Sequence, residues 1–116
     1  MTNDHELDSD ALWATKLVPF LHLFDTLGRR WSLRVLWELR DGPLSFRRLR
    51  DRTGGMSSSV LTDRLRDLRS ANVIAHDPTV GGYHLTRVGT EVVSHIIELY
   101  WALTGLDDWP PSDDTS

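Results

Sequence analysis

The sequence predicts a mainly α fold with one small β-hairpin (α+β), a winged helix-turn-helix with a further helix at each end, and three observations predict it. Residues 57–71 separate an apolar ridge from a polar face at helical spacing. Leu61, Leu65 and Leu68 recur at i, i+4 and i+7, while Ser58, Ser59, Thr62, Asp63, Arg66 and Arg69 point away from them. Over residues 73–85 the period changes from helical to two, with the turn-forming Asp77-Pro78-Thr79-Val80-Gly81-Gly82 in the middle. The helical patterns at 11–27 and 87–108 are broadly apolar, the second over too much of its circumference for a single-sided surface helix.

Each element has its own signals. Residues 1–10 are acidic and expected to be disordered; Ser9 or Asp10 can cap a first helix over 11–27, which Pro19 breaks or kinks and Gly28 closes. A second helix is predicted over 31–40, with Trp31 and Trp37 in the core and Asp41-Gly42-Pro43 as its stop. Leu44-Ser45-Phe46 is long enough only for an extended connector or a small edge strand. A short third helix covers 47–53 and ends at Gly54-Gly55, after which Ser57 or Ser58 caps the fourth. The hairpin follows, then Thr86 caps the last helix, and residues 109–116 are expected to form a loose tail. The order of helices followed by a hairpin places the fourth helix, 57–71, as the one that enters a major groove and 73–85 as the wing.

The chain has 116 residues, enough for one domain with one core, and its 40% hydrophobic and 26% charged residues are ordinary for a soluble protein. No run approaches a membrane span, and the acidic start is unlike a basic leader, so a cytoplasmic address is expected. There is no cysteine, which excludes disulfides and thiol redox sensing. The net charge of −4 hides a basic middle. From Arg29 to Arg87 there are twelve arginines against Glu38, Asp41, Asp51, Asp63, Asp67 and Asp77, a local excess of six positive charges. A basic stripe of this kind is the usual electrostatic footprint for phosphate; a solvated helix surface laced with ion pairs is the other reading.

On the fourth helix, Ser58, Ser59, Thr62 and Asp63 are candidates for reading base edges, with Ser57 beside them at its start. Asp63 can accept from a cytosine amino group or pair with Arg66, and pairing is favoured. Arg66 is the better candidate for a phosphate or guanine, while Arg64 either contacts DNA or braces the domain through an internal ion pair. The five histidines show no paired ligand spacing, so no metal or other cofactor is expected. No nucleophile elbow or phosphate-binding loop is present, and no enzyme is read here. Trp13, Trp101 and Trp109 are candidates to line a pocket for a small planar aromatic effector, against the more ordinary account of packing.

Four motifs in order then carry a resemblance. Gly28-Arg29-Arg30-Trp31 with Leu33 and Val35-Leu36 resembles a GGKW block, and Leu39-Arg40-Asp41-Gly42-Pro43-Leu44 with Phe46 and Leu49 resembles L-x-x-GPLRFxxL. Met56-Ser57, Leu61-Thr62, Arg64-Leu65-Arg66 and Leu68 resemble I-S-x-x-x-L-T-x-R-L-R-x-L, and Tyr83-His84-Leu85-Thr86-Arg87-Val88-Gly89 resembles Y-x-LTxxG. From about residue 18 to 103 the chain resembles the HxlR-type winged helix-turn-helix transcriptional regulators of the MarR-like superfamily. The resemblance implies a homodimer on a palindromic operator in double-stranded DNA, joined through the terminal helices. Trp13, Leu17, Phe20, Leu21, Phe24, Val93, Ile96, Ile97, Tyr100 and Trp101 are the candidate interface residues.

Departures from the family pattern shift the expected contacts. Val18-Pro19 stands where members carry Cys-Pro, so thiol signalling is ruled out. Ser45 and Ser59 stand where basic residues are usual in the family, which either weakens the expected phosphate contact there or shifts it onto Arg47, Arg48 and Arg50. The hairpin is shorter than usual and has no Lys or Arg at its tip. His76, near a commonly basic position, is a candidate phosphate contact, though a plain surface histidine is the more ordinary reading. An alternative to the DNA-binding regulator is a winged-helix interaction module or antirepressor with weak DNA binding, which the bare wing and net acidity suggest.

Overall fold

A computed structural model describes residues 13–111, so the expectations for residues 1–10, for the start of the first helix and for the last residues of the tail lie outside the described residues. The described chain opens on a π-helical turn, Trp13–Leu17, that passes into α1, Val18–Leu27. Pro19 falls in the first turn of α1, directly after the π-helical turn, where its ring offers no N–H to the carbonyls of that preceding turn. Proline therefore marks the change of helix type, and the chain is not broken there. Helix α2, Ser32–Glu38, is shorter than the predicted 31–40. Its start is displaced because Trp31 takes a left-handed φ of 78°, a conformation no helix can continue through.

Helix α3, Phe46–Thr53, and helix α4, Ser58–Ser70, follow, then strands β1, Ile74–Asp77, and β2, Gly82–Leu85, around a 3-10 turn at Pro78–Val80, and finally α5, Arg87–Thr104. The strands pair antiparallel, Ile74 with Leu85 and Asp77 with Gly82. Leu44 adds a one-residue third strand, exchanging backbone bonds of 2.9 and 2.8 Å with Tyr83. Gly82 makes that approach possible: its φ is 121°, and a Cβ there would sit 2.6 Å from the Leu44 carbonyl oxygen. The extended piece before α3 thus ties the hairpin to the helix-turn-helix.

The core is built from the inward ridges of α2 to α5 and the hairpin, including Val35, Leu36, Leu49, Leu61, Leu68 and Val73, each fully buried, with Leu23 and Leu27 of α1 packed partly buried against it. Two expectations are corrected by it. Trp37, predicted in the core, is 40% exposed, because the inward face of α2 is carried by Ser32, Val35 and Leu36 and position 37 turns off that face. Val93, predicted at a partner interface, is 6% exposed and belongs to the protomer's own core, since Gly89 and Val93 form the buried i, i+4 ridge of α5. Trp31 is half-buried against the core. Among the described residues no helix is long and apolar enough to cross a membrane.

Candidate nucleic-acid interface

Helices α3 and α4 are joined by a turn whose geometry Gly54 sets. Its φ of 64° reverses the chain, and its carbonyl accepts the Met56 N–H at 2.6 Å, while Met56 is buried and pins the turn to the core. The buried ridge of Leu61, Leu65 and Leu68 then fixes the rotation of α4. Ser59, Thr62, Arg66 and Arg69 are left on the outer face, with Ser58 and Asp63 half-buried beside them. Ser57 is the N-cap: its hydroxyl accepts the Val60 N–H at 3.2 Å and lies 3.4 Å from the Ser59 hydroxyl. Ser45 caps α3 in the same way, accepting the Arg48 N–H at 3.2 Å. Serine at 45 therefore supplies a helix cap rather than a charge.

The basic middle divides into two sets. Six arginines are held in ion pairs: Arg29 and Arg64 with Asp67, Arg34 and Arg52 with Glu38, Arg40 with Asp41, and Arg66 with Asp63. Among the described residues Arg30, Arg47, Arg48, Arg50, Arg69 and Arg87 make no ion pair, and Arg30 lies over the Trp31 ring at 5.5 Å. Three of these, Arg47, Arg48 and Arg50, are carried on α3. Arg64 is different. Its side chain is 15% exposed and bonded to Asp67 at 3.3 Å, a bracing geometry that ties α4 through Asp67 to Arg29 before α2. Arg66 is well exposed and donates to Asp63 at 3.0 Å.

The hairpin stands beside the C-terminal half of α4. Between them lies an open groove of about 520 Å³, lined by Phe46, Thr62, Arg66, Arg69, Ser70 and Tyr83 among others. His76 is exposed on β1 and its ring packs on Tyr83 at 4.5 Å between centroids. At the turn, Asp77 accepts from the Thr79 hydroxyl at 2.7 Å and the Thr79 N–H at 3.0 Å, which hold its carboxyl below the usual carboxylate range. Residues 73–85 contain no lysine or arginine. No group of three His, Asp or Glu able to hold a metal occurs among the described residues.

Residues 26–108, from the end of α1 through α5, match the HxlR-like helix-turn-helix family. The chain belongs to that family. Among its HxlR-like relatives is an uncharacterized HTH-type transcriptional regulator of Synechocystis, 34% identical over 89 residues that make up 72% of this chain. The match spans 66% of that relative, just under two thirds of its length. The HTH-type transcriptional regulator YodB of Bacillus subtilis is 28% identical over 85 residues, 68% of this chain and 76% of YodB. Its quinone-bound crystal structure superposes with a TM-score of 0.62 at 30% identity, covering 69% of this chain and 90% of YodB. A possible HxlR family factor of Thermoplasma volcanium shares the fold, with a TM-score of 0.63 at 24% identity over 73% of this chain and 81% of that one. The relatives named as regulators have a non-enzymatic role.

The HxlR-like domain leaves an apolar face on its terminal helices. Phe20, Leu21 and Phe24 on α1 and Leu99, Tyr100 and Trp101 on α5 are all exposed, Trp101 by 67%. Leu17, Ile96 and Ile97 are half-buried, and the side chain of Trp13 lies outside the described residues. A groove of about 500 Å³ runs between the two helices, walled by Phe20, Phe24, Val92 and Leu99 and edged by Glu91 and His95. A second hollow of about 630 Å³, on the α2 side of α5, is lined by Trp37, Ile96, Ile97, Tyr100 and Trp101. Trp37, missed as a surface residue by sequence reasoning, thus joins Trp101 in an aromatic wall, whereas Trp109 lines neither hollow.

Proposed function

We propose that this chain is a homodimeric, sequence-specific DNA-binding regulator that acts in the cytoplasm on a palindromic operator, each protomer placing α4 in the major groove. The observation that carries the reading is the sorting of the arginines: those without acidic partners include Arg47, Arg48 and Arg50, all exposed on α3, the helix that the Gly54 turn joins to the hydroxyl-bearing α4. In this reading Ser58, Ser59 and Thr62 meet base edges, Asp63 pairs with Arg66, and the α3 arginines meet phosphates. Ser57 serves chiefly as a cap, Arg64 as a brace, and His76 supports Tyr83 within reach of the backbone. The exposed faces of α1 and α5 support the dimer, because a monomer rarely leaves so continuous an apolar patch in water. Two recognition helices would then meet half-sites about one helical turn apart.

The quinone found on YodB supports a planar aromatic effector here as well. This chain has no cysteine, so such a ligand is held without a bond to a thiol, and the aromatic hollow of Trp37, Tyr100 and Trp101 is the place we assign to it.

The reading is tested by salt-titrated binding to DNA from upstream of the chain's own coding sequence. The expected result is a specific site bound at least ~10³-fold tighter than random sequence. Replacing Arg47, Arg48 and Arg50 with alanine is expected to flatten the salt dependence by about one unit of slope for each phosphate that an arginine no longer neutralises. Equal affinity for upstream and random DNA would overturn the regulator and favour a partner-binding module on the same scaffold.

A further inference from the structure

In B-form DNA one sugar-phosphate strand separates each major groove from the adjacent minor groove. A protein that sets a helix in the major groove and a hairpin beside the neighbouring minor groove must straddle that strand, and the strand must pass through the cleft between helix and hairpin. In a basic wing the hairpin itself would supply the charge that meets it. Here the turn is Pro78, Thr79 and Val80, and residues 73–85 hold no lysine or arginine.

The charge lies in the floor of the cleft. Arg66 and Arg69 both line the 520 Å³ groove between α4 and β2, together with the hydroxyls of Thr62 and Ser70 and the rings of Phe46 and Tyr83. Arg69 is exposed and has no ion pair, and no acid stands three or four residues from it on α4. Its neighbour at i−3 is Arg66, so folding places two like charges one turn apart, an arrangement that opposes the helix unless an anion joins them. Half of the charge on that pair is already answered by Asp63, which holds Arg66 at 3.0 Å; Arg69 is unanswered. Tyr83 is held at the far wall by its backbone exchange with Leu44 and by the His76 ring. No hydrogen bond engages its phenol among the described residues.

Resting on the DNA-binding reading above, we propose that this cleft seats one phosphate of the operator backbone in each half-site, held by the guanidinium groups of Arg69 and Arg66 and the phenol of Tyr83. The recognition helix thereby supplies the phosphate contact that a basic wing would make. None of these three side chains reads a base from this seat, so the contact adds affinity for DNA of every sequence.

The experiment compares full-length protein with R69A, R69K and Y83F by salt-titrated binding to operator and random duplexes, and repeats the operator titration with single neutral methylphosphonates placed along each strand. R69A is expected to weaken both duplexes by the same factor and to lower the salt slope by about one unit per protomer, with R69K keeping the slope. Y83F is expected to weaken binding about 2- to 10-fold, the range for one hydrogen bond, with the slope unchanged. One methylphosphonate position per half-site is expected to weaken the parent protein and leave R69A no weaker than it already is. Unchanged affinity and slope in R69A overturn the proposal, as does a change of sequence preference at constant slope, which would place Arg69 on a base. Failure of the parent protein to prefer operator over random DNA overturns the DNA reading itself. A phosphate taken from solution rather than from DNA would show as R69A-dependent competition by millimolar inorganic phosphate with no sensitive methylphosphonate position, and also overturns the seat.

Discussion

Asp63 faces two fates that predict opposite results. It is half-buried at the edge of the recognition face and bonded to Arg66 at 3.0 Å, yet a carboxylate there is also placed to accept from a cytosine amino group. The ion pair is largely exposed, so its own contribution to stability is small, about 0.2–1 kcal/mol before screening by salt. Its larger effect falls on DNA. Asp63→Asn removes a negative charge beside Arg66 and releases it, so the variant is expected to bind operator and random duplexes a few-fold more tightly, with a steeper salt slope, in the same salt-titrated binding measurement. A loss confined to the operator would identify Asp63 as a base reader. How much of this was legible in the sequence follows from spacing. Asp63 with Arg66, Arg64 with Asp67, and Arg34 with Glu38 are helical neighbours and visible from their numbers alone. Arg52 with Glu38 and Arg29 with Asp67 cross between elements, so no local pattern announces that those arginines are already occupied.

At the level of elements, the joint between the recognition helix, the hairpin and α5 carries the architecture. Asn72 leaves α4 at a left-handed φ of 63°, and its carbonyl accepts the Thr86 hydroxyl at 2.7 Å. The same Thr86 hydroxyl accepts the Gly89 N–H at 3.0 Å, so one side chain caps α5 and ties it to the end of α4. Gly89 then packs directly on the Val73 carbonyl, and a Cβ at that position would overlap the carbonyl oxygen. Alanine is the better helix former by about 0.8–1.0 kcal/mol, but backbone cannot move aside as a side chain can, and overpacking of this kind costs about 1–3 kcal/mol. Gly89→Ala is therefore expected to lower the urea midpoint with the slope of the transition unchanged; a raised midpoint would show that the strand end can yield. The caps at Ser57 and Thr86, the stop at Gly28 and the hairpin were all readable because each depends on residues within a few positions of one another. The Leu44 bridge to Tyr83 and the displaced start of α2 were not, since a bridge between residues 39 positions apart and a left-handed tryptophan are tertiary outcomes with no local signal.

At the scale of the whole molecule, the proposed function needs two surfaces to cooperate: the helix-turn-helix face and the exposed apolar face of α1 and α5 that we propose joins two copies of the chain. Sequence periodicity identified the second as broadly apolar, and the structure separates its members, turning Val93 inward and leaving Phe24 and Trp101 outward. That separation gives a clean test. A charge at Val93 would enter the core and unfold the chain, whereas Phe24 is 57% exposed and Trp101 67% exposed, so glutamate at either site removes a ring contact, with Phe20 or Tyr100, but places no charge in the core. By light scattering the parent protein is expected at twice the 13.3 kDa of this chain, and Phe24→Glu with Trp101→Glu at 13.3 kDa, with the same circular dichroism and a urea transition slope per chain lowered only by the interface area that the monomer no longer buries. Binding to an isolated half-site should then be preserved. Binding to the full palindrome should fall by about 10²–10⁴-fold, because the second recognition helix no longer arrives at the effective concentration that a rigid dimer imposes. A double variant that stays dimeric would place the interface elsewhere on the molecule. One that is monomeric yet holds the palindrome as tightly as its parent would show that the two half-sites are read independently.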